Sequence, residues 1–275
     1  MVARFTTRVL RLILYAGLVL LAASLTACAE TPQVTRTPVK LRLAEAADQA
    51  AVLNRVVNAY TQDRAWITID NKSVAPTDAV AQVRSGQLDA AIVHTTPDPK
   101  EKVWVSGLAF DPLALIVHPT NPISNVTLSQ LSDLFQGRTF DWTPFGGTGE
   151  VIPVSRAAEA FARQLFEERV MQKRAVTRNA ILKSSSKDVI DFVAKTPGAI
   201  GYVPLSQVDA RVKAIKIDGV TPTVEAAANG KYVLTSPLYL IAKSEPAGDL
   251  RDFAAWLLSN DGQTLLSQAG LGKVR

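Results

Sequence analysis

Few side chains in this 275-residue chain have the types and spacing needed for chemistry. Glu45 and Asp48 form a carboxylate pair in Glu45-Ala46-Ala47-Asp48. Such a pair could serve as acid and base, but a loop pair of this kind is more often simply solvated. His94, one of two histidines, closes the apolar run Leu88–Val93. Two readings stay open for it: a strand-end ring held by hydrogen bonds, or a contact to a ligand. Cys28 is the sole cysteine, so no disulfide framework exists and the fold must rest on its core. Gly146-Gly147-Thr148-Gly149 lacks the lysine and following helix of a phosphate cradle and is expected to be a flexible loop. No serine–histidine or metal-ligand spacing is present. The chain is therefore not expected to be an enzyme, and no metal or cofactor is expected.

The N-terminus carries an address. Arg4, Arg8 and Arg11 precede an apolar run over 12–24, which ends at Leu25-Thr26-Ala27-Cys28. A basic start, a short apolar stretch and small residues at the cut describe an export signal. The run is short for a bilayer span of about 20 residues, which argues against an uncleaved anchor helix. Leu25–Cys28 resembles the lipobox of bacterial lipoproteins. That resemblance implies a signal peptide over 1–27 and lipid on Cys28, anchoring the chain to the extracytoplasmic face of the cell membrane. Residues 28–38, polar and proline-punctuated, suit a flexible tether. Without the three signal arginines the formal charge of +5 falls to +2. With no basic stripe interleaved with aromatics, nucleic acid is not an expected partner.

The remaining residues, 39–275, must form the elements that position any site. Val39–Ala44 alternates as a strand, and 47–61 carries apolar residues at helical spacing. A short strand at Trp66–Ile69 follows, then a helix from Pro76 to Ser85 with Gly86 at its end, then the strand Leu88–Val93. Further strands are expected at Leu113–Val117, Ala199–Val203, Val212–Ile217 and Tyr232–Ala242, with Pro237 marking an edge or bend. Helices are expected over Thr127–Phe135, 156–173, 186–195, 247–259 and 261–269. Strands alternating with helices imply an α/β fold with a largely parallel sheet.

Several of these stretches resemble one family. Asn121-Pro122, Val126–Leu131, Leu134–Gly137 and Asp141-Trp142 are similar to a run in phosphate-type solute-binding proteins of ABC transporters. Pro197–Val203, Tyr232–Ala242, Phe253–Ser259 and Asp261–Gln263 follow in the same order, so the resemblance covers most of 39–272. It implies a bilobal type 2 periplasmic-binding-protein fold, two α/β lobes joined by a two-strand hinge. One lobe would hold about 39–113 and 236–275, the other about 119–230. It also implies a monomer that delivers a small-molecule or oxyanion ligand from the interlobe cleft to an ABC permease. Most matched positions are scaffold: Gly137 and Gly201 suit turns or caps, and Trp142 and Trp256 suit core packing.

The loops that hold the anion in that family read differently here. Capture of an oxyanion needs backbone N–H groups, small residues, hydroxyls or an arginine. The first such loop reads Glu45–Asp48, which offers carboxylates and no hydroxyl. The second reads Ala75-Pro76-Thr77, where proline supplies no N–H. The third reads His94-Thr95-Thr96. In the fourth, Arg156 matches the family arginine, but Ala160-Phe161-Ala162 replace its Ser-Gly-Thr. Arg156 has a second reading as a helical partner of Glu159, and Arg163 reads as a solvated helix charge. The residues able to contact a ligand are Lys72, Ser73, Thr77, His94, Thr95, Thr96 and Arg156. The expectation is a solute-binding protein whose ligand is not ordinary phosphate, or else a tethered sensor or interaction module with a vestigial cleft.

Overall fold

A computed structural model describes residues 36–45 and 49–274. The expected signal peptide, Cys28, most of the tether and Asp48 lie outside the described residues, as do the side chains of Pro76 and Thr77. Among the described residues, no helix is long and apolar enough to cross a membrane.

The first half of the sheet follows from alternation. In β1 (Val39–Glu45), Leu41 and Leu43 are buried while Lys40 and Arg42 face out. β1 pairs in parallel with β2 (Ile67–Ser73) and β3 (Ala90–Val93). Helix α1 (Ala50–Thr61) buries Val52, Leu53, Val56 and Tyr60 on one stripe. Helix α2 (Pro76–Ser85) opens on a proline that needs no N–H partner, and it ends at Gly86 in the left-handed region.

β4 (Trp104–Val117) is the longest strand and runs through both halves. Trp104–Pro112 pairs with β10 (Thr235–Ala242), and Leu113–Val117 lies between β8 (Ala199–Pro204) and β9 (Lys213–Ile217). The full order is β2-β1-β3-β10-β4-β8-β6-β7, where β6 is Ile152–Arg156 and β7 is Ile181–Lys183. A short β5 (Asn125–Val126) pairs with β9. Pro237 is tolerated because Thr235–Leu238 pairs with β4 alone, β3 joining β10 only from Tyr239 onward.

In the second half, α3 (Leu128–Gln136) starts on a capping box, Thr127 with Gln130, and ends at left-handed Gly137. The helix expected over 156–173 begins later and changes character. Arg156 is the last residue of β6, and α4 spans only Phe161–Phe166 before a wider turn of helix at Glu167–Met171. The apolar spacing of Ala162, Leu165, Phe166, Val170 and Met171 was helical, but it did not mark where the helix starts. The expected strand at Leu113–Val117 is likewise only the end of β4.

Helices α5 (Ser186–Val193), α6 (Val224–Ala228), α7 (Gly248–Leu257) and α8 (Asn260–Gln268) complete the fold. Gly201 is not a turn residue. It lies inside β8, where an added Cβ would stand 2.8 Å from Val189 Cγ1 on α5, so glycine lets that helix approach the sheet. The loop around Gly146–Gly149 is not loose. It is stapled by Trp142 N to Gly149 O and Gly147 N to Trp142 O, and bridged at Asp141 and Glu150.

Two main apolar clusters lie on either side of the β4–β10 junction. One gathers Leu43, Tyr60, Leu240 and Phe253; the other gathers Phe135, Trp142, Phe166 and Tyr202. Tyr60 meets Phe253 and half-buried Trp256 at ring distances of 5.0 and 5.1 Å. Each such leucine, valine or aromatic side chain stabilises the fold by roughly 1.5–3 kcal/mol.

On the surface of α5, Asp191 accepts hydrogen bonds from Lys187 and Arg211, which lower its pKa to about 2. Because the folded value lies below the ordinary 3.8, its stabilising contribution is present above that value and is lost as pH falls through about 2. Substituting Arg211→Ala should raise the Asp191 midpoint in an NMR carboxyl titration, while Lys187 keeps it below the ordinary value. An unmoved midpoint would remove Arg211 as a cause.

Candidate functional site

The ends of β1 and β3, the middle of β4 and the start of α4 meet at one place. Glu45, the last residue of β1, is registered beside Ile92 of β3 and is 1% exposed. It accepts a hydrogen bond from Ser73 Oγ. The carboxylate expected to be solvated is therefore buried, because the strand carries it inward before the loop begins.

His94 follows β3 and is 5% exposed. Its Nε2 lies 2.8 Å from Asp111 Oδ2, and the same oxygen accepts a bond from Gln49 Nε2. Asp111 and Gln49 are also buried. His94 Nδ1, Asp111 Oδ1 and Gln49 Oε1 have no hydrogen-bond partner among the described residues. Three linked buried polar groups therefore hold the imidazole ring in one orientation.

Phe161 comes from the opposite half, at the first turn of α4. Its ring stacks on His94 with centroids 3.5 Å apart and planes 9° from parallel. That is van der Waals contact, and it joins the two halves of the sheet through aromatic faces.

Arg156 and Arg163 stay within the second half. Arg156 is buried, with Nη1 2.7 Å from Ser186 Oγ and Nη2 3.1 Å from Ser184 O. It holds the start of α5, and no ion pair with Glu159 forms, since Arg156 is on a strand and not on the helix. Arg163 is no solvated charge. It bonds Glu167 Oε1 at 2.7 Å, Ser155 Oγ at 2.6 Å and Arg156 O at 3.3 Å. Ser155 in turn meets the buried Tyr202 hydroxyl, whose pKa burial pushes up.

Of the expected contact residues, His94, Thr95 and Thr96 come together, and Ser73 joins through Glu45. Lys72 is exposed and engaged with Gln82 Oε1 at 2.6 Å. Arg156 is directed to α5, and the Thr77 side chain lies outside the described residues. Beside the stack lies a cavity of about 630 Å³, lined by Thr95, Thr96 and α2 from one half and by Glu159, Phe161 and Gln164 from the other. Sequence reasoning missed Asp111 and Gln49. A lone carboxylate inside Leu108–Val117, an otherwise apolar stretch, was the available signal.

Known proteins share this fold. A putative phosphate ABC transporter substrate-binding protein from Clostridium perfringens, solved with bound phosphate, superposes with a TM-score of 0.77 at 25% identity. The match covers 86% of this chain and 100% of that one. An ABC-type phosphate transport receptor from Vibrio cholerae matches with a TM-score of 0.69 at 23% identity, covering 86% and 100%. The phosphate-binding protein PstS of Bacillus subtilis is 28% identical over 191 residues, which are 67% of this chain and 63% of that protein. The chain thus spans less than two thirds of that relative's length. These similar proteins are named as binding proteins or receptors and not as enzymes. The fold is the type 2 periplasmic-binding-protein architecture. A PBP superfamily domain pattern matches residues 31–261, most of the chain, and the protein belongs to that family as a phosphate-binding-protein-like member.

Proposed function

We propose that the chain is a monomeric solute-binding protein, tethered by lipid on Cys28 to the extracytoplasmic face of the cell membrane, that serves an ABC permease. Residues of about 39–113 with 236–275, and of about 119–230, act as two lobes that hinge on β4 and β10. Closure of such lobes is an equilibrium that a ligand shifts. The solute is a small molecule other than ordinary phosphate, and nucleic acid is not a partner.

The Phe161–His94 stack carries this reading. It occupies the junction where the resemblance would seat an oxyanion. An aromatic ring there blocks approach to backbone N–H groups, which glycine would permit. In equilibrium dialysis with radiolabelled phosphate, the full chain in detergent is expected to show no binding below about 1 mM, a free energy near −4.1 kcal/mol. Micromolar or tighter binding would overturn the reading.

The same stack favours a second reading, a tethered sensor or interaction module, because the ring contact itself joins the halves. Thermal shifts across a solute panel separate the two. A true ligand at a hundred times its dissociation constant stabilises by about 2.7 kcal/mol. For a domain of this size that is roughly 5–10 °C. A panel without any shift would favour the module.

A further inference from the structure

The cavity beside the stack has a charge balance opposite to that of an anion receptor. We propose that it binds a small organic ammonium ion with an apolar body. This rests on the reading that the cleft takes a solute, and it names the class. At about 630 Å³ the cavity lies within the range of small-molecule sites, roughly 300–1,000 Å³. Both halves wall it, so an occupant would bridge them.

Its floor is apolar, with Val80 and Val93 on one side and Phe161 on the other. Three carboxylates line it, Asp98, Glu101 and Glu159, against the single guanidinium of Arg84. Glu101 Oε2 stands 2.6 Å from Arg84 Nη1 and neutralises it. Asp98, whose Oδ1 also accepts a bond from Lys100 N at 2.8 Å, and Glu159 then supply two negative charges that no other cation among the described lining residues compensates. Arg156 is not among the described lining residues and donates to Ser186 Oγ and Ser184 O.

An oxyanion entering this space meets repulsion. A neutral solute gains the apolar floor but leaves the carboxylates without a partner. An ammonium group gains charge-assisted hydrogen bonds, which are roughly twice as strong as neutral ones. Its hydrocarbon body meets Val80, Val93 and Phe161, while Thr95, Thr96 and Gln164 accept any remaining donors.

The test uses three isosteres on the full chain in detergent, read by titration calorimetry: phenethylammonium, 2-phenylethanol and 3-phenylpropionate. Phenethylammonium is expected to bind at least tenfold more tightly than the alcohol, with the carboxylate weakest. The double substitution Asp98→Asn with Glu159→Gln should weaken the ammonium at least tenfold and leave the alcohol unchanged. Both side chains are exposed, and an unchanged melting temperature would verify folding. Equal binding of 3-phenylpropionate, or a change under twofold in the double variant, overturns the inference. If all three isosteres fail while an uncharged solute of another class binds, the ammonium class falls and the solute-binding reading stands. If no solute of any class binds, both fall.

Discussion

Replacing Asp111 by alanine is expected to lower the free energy of unfolding by about 3–5 kcal/mol, the usual cost of removing one partner from a buried pair. Asp111 is 1% exposed and receives both His94 Nε2 and Gln49 Nε2 on one oxygen. Its loss strands two buried donors at once, in a place that water reaches poorly. Gln49→Ala removes only one donor and should cost about 1–3 kcal/mol. The two losses should not add, because they share a bond. Urea unfolding of the two single variants and of the double variant measures this. A second readout belongs to the site: freed from Asp111, the His94 ring should leave the face of Phe161. Its NMR resonances would then move toward random-coil positions as the ring current is lost. A stable Asp111→Ala variant with unmoved His94 resonances would show that the buried chain does not position the ring.

Trp142→Ala should cost as much, about 3–5 kcal/mol, for a different reason. Trp142 is fully buried in the second core, and its Nε1 donates to Gly198 O at 3.0 Å. A Cβ on Gly147 would come within 2.9 Å of Trp142 Cβ, so the loop is fitted closely over the indole. Truncation removes the apolar contact, leaves a large cavity and takes away the donor that ties the loop to the start of β8. Trp142→Phe keeps most of the volume and should retain more than half of the lost stability. Chemical denaturation followed by far-ultraviolet circular dichroism tests this, and equal losses for the two variants would contradict it.

The scaffold was legible because its signals are local. Alternation in Val39–Ala44, the helix over Thr127–Phe135 and the left-handed ends at Gly86 and Gly137 all appear where the residue types place them. Boundaries failed where two local preferences competed. Arg156 follows an apolar run that could continue into a helix, yet pairing with Lys183 of β7 draws it into a strand. The first half of β4 went unread because Gly107, Asp111 and Pro112 interrupt its pattern. Those residues are compatible with a strand only because β10 supplies its pairing.

The candidate site was legible only in part. The departure of Glu45, His94 and Phe161 from the residue types that the resemblance implies is visible in the chain itself. What each replacement does is not. Glu45 looked like a loop carboxylate and Arg163 like a surface charge, because burial is a property of neighbours far away in sequence. Asp111 and Gln49 are 62 residues apart and share no motif.

By itself, then, the sequence determined the class of the protein and predicted its address. Periodicity and ordered fragments specify an α/β binding scaffold, Leu25–Cys28 predicts a lipid tether, and the composition of four loops argues against an ordinary phosphate seat. Only the tertiary structure decided which side chains meet at the junction of the two halves. Stacking of Phe161 on His94, anchoring of His94 by Asp111 and Gln49, and the acidic cavity beside them all depend on long-range pairing of strands. A linear pattern can name such residues, but their distances are set when β1, β3, β4 and the start of α4 are brought together.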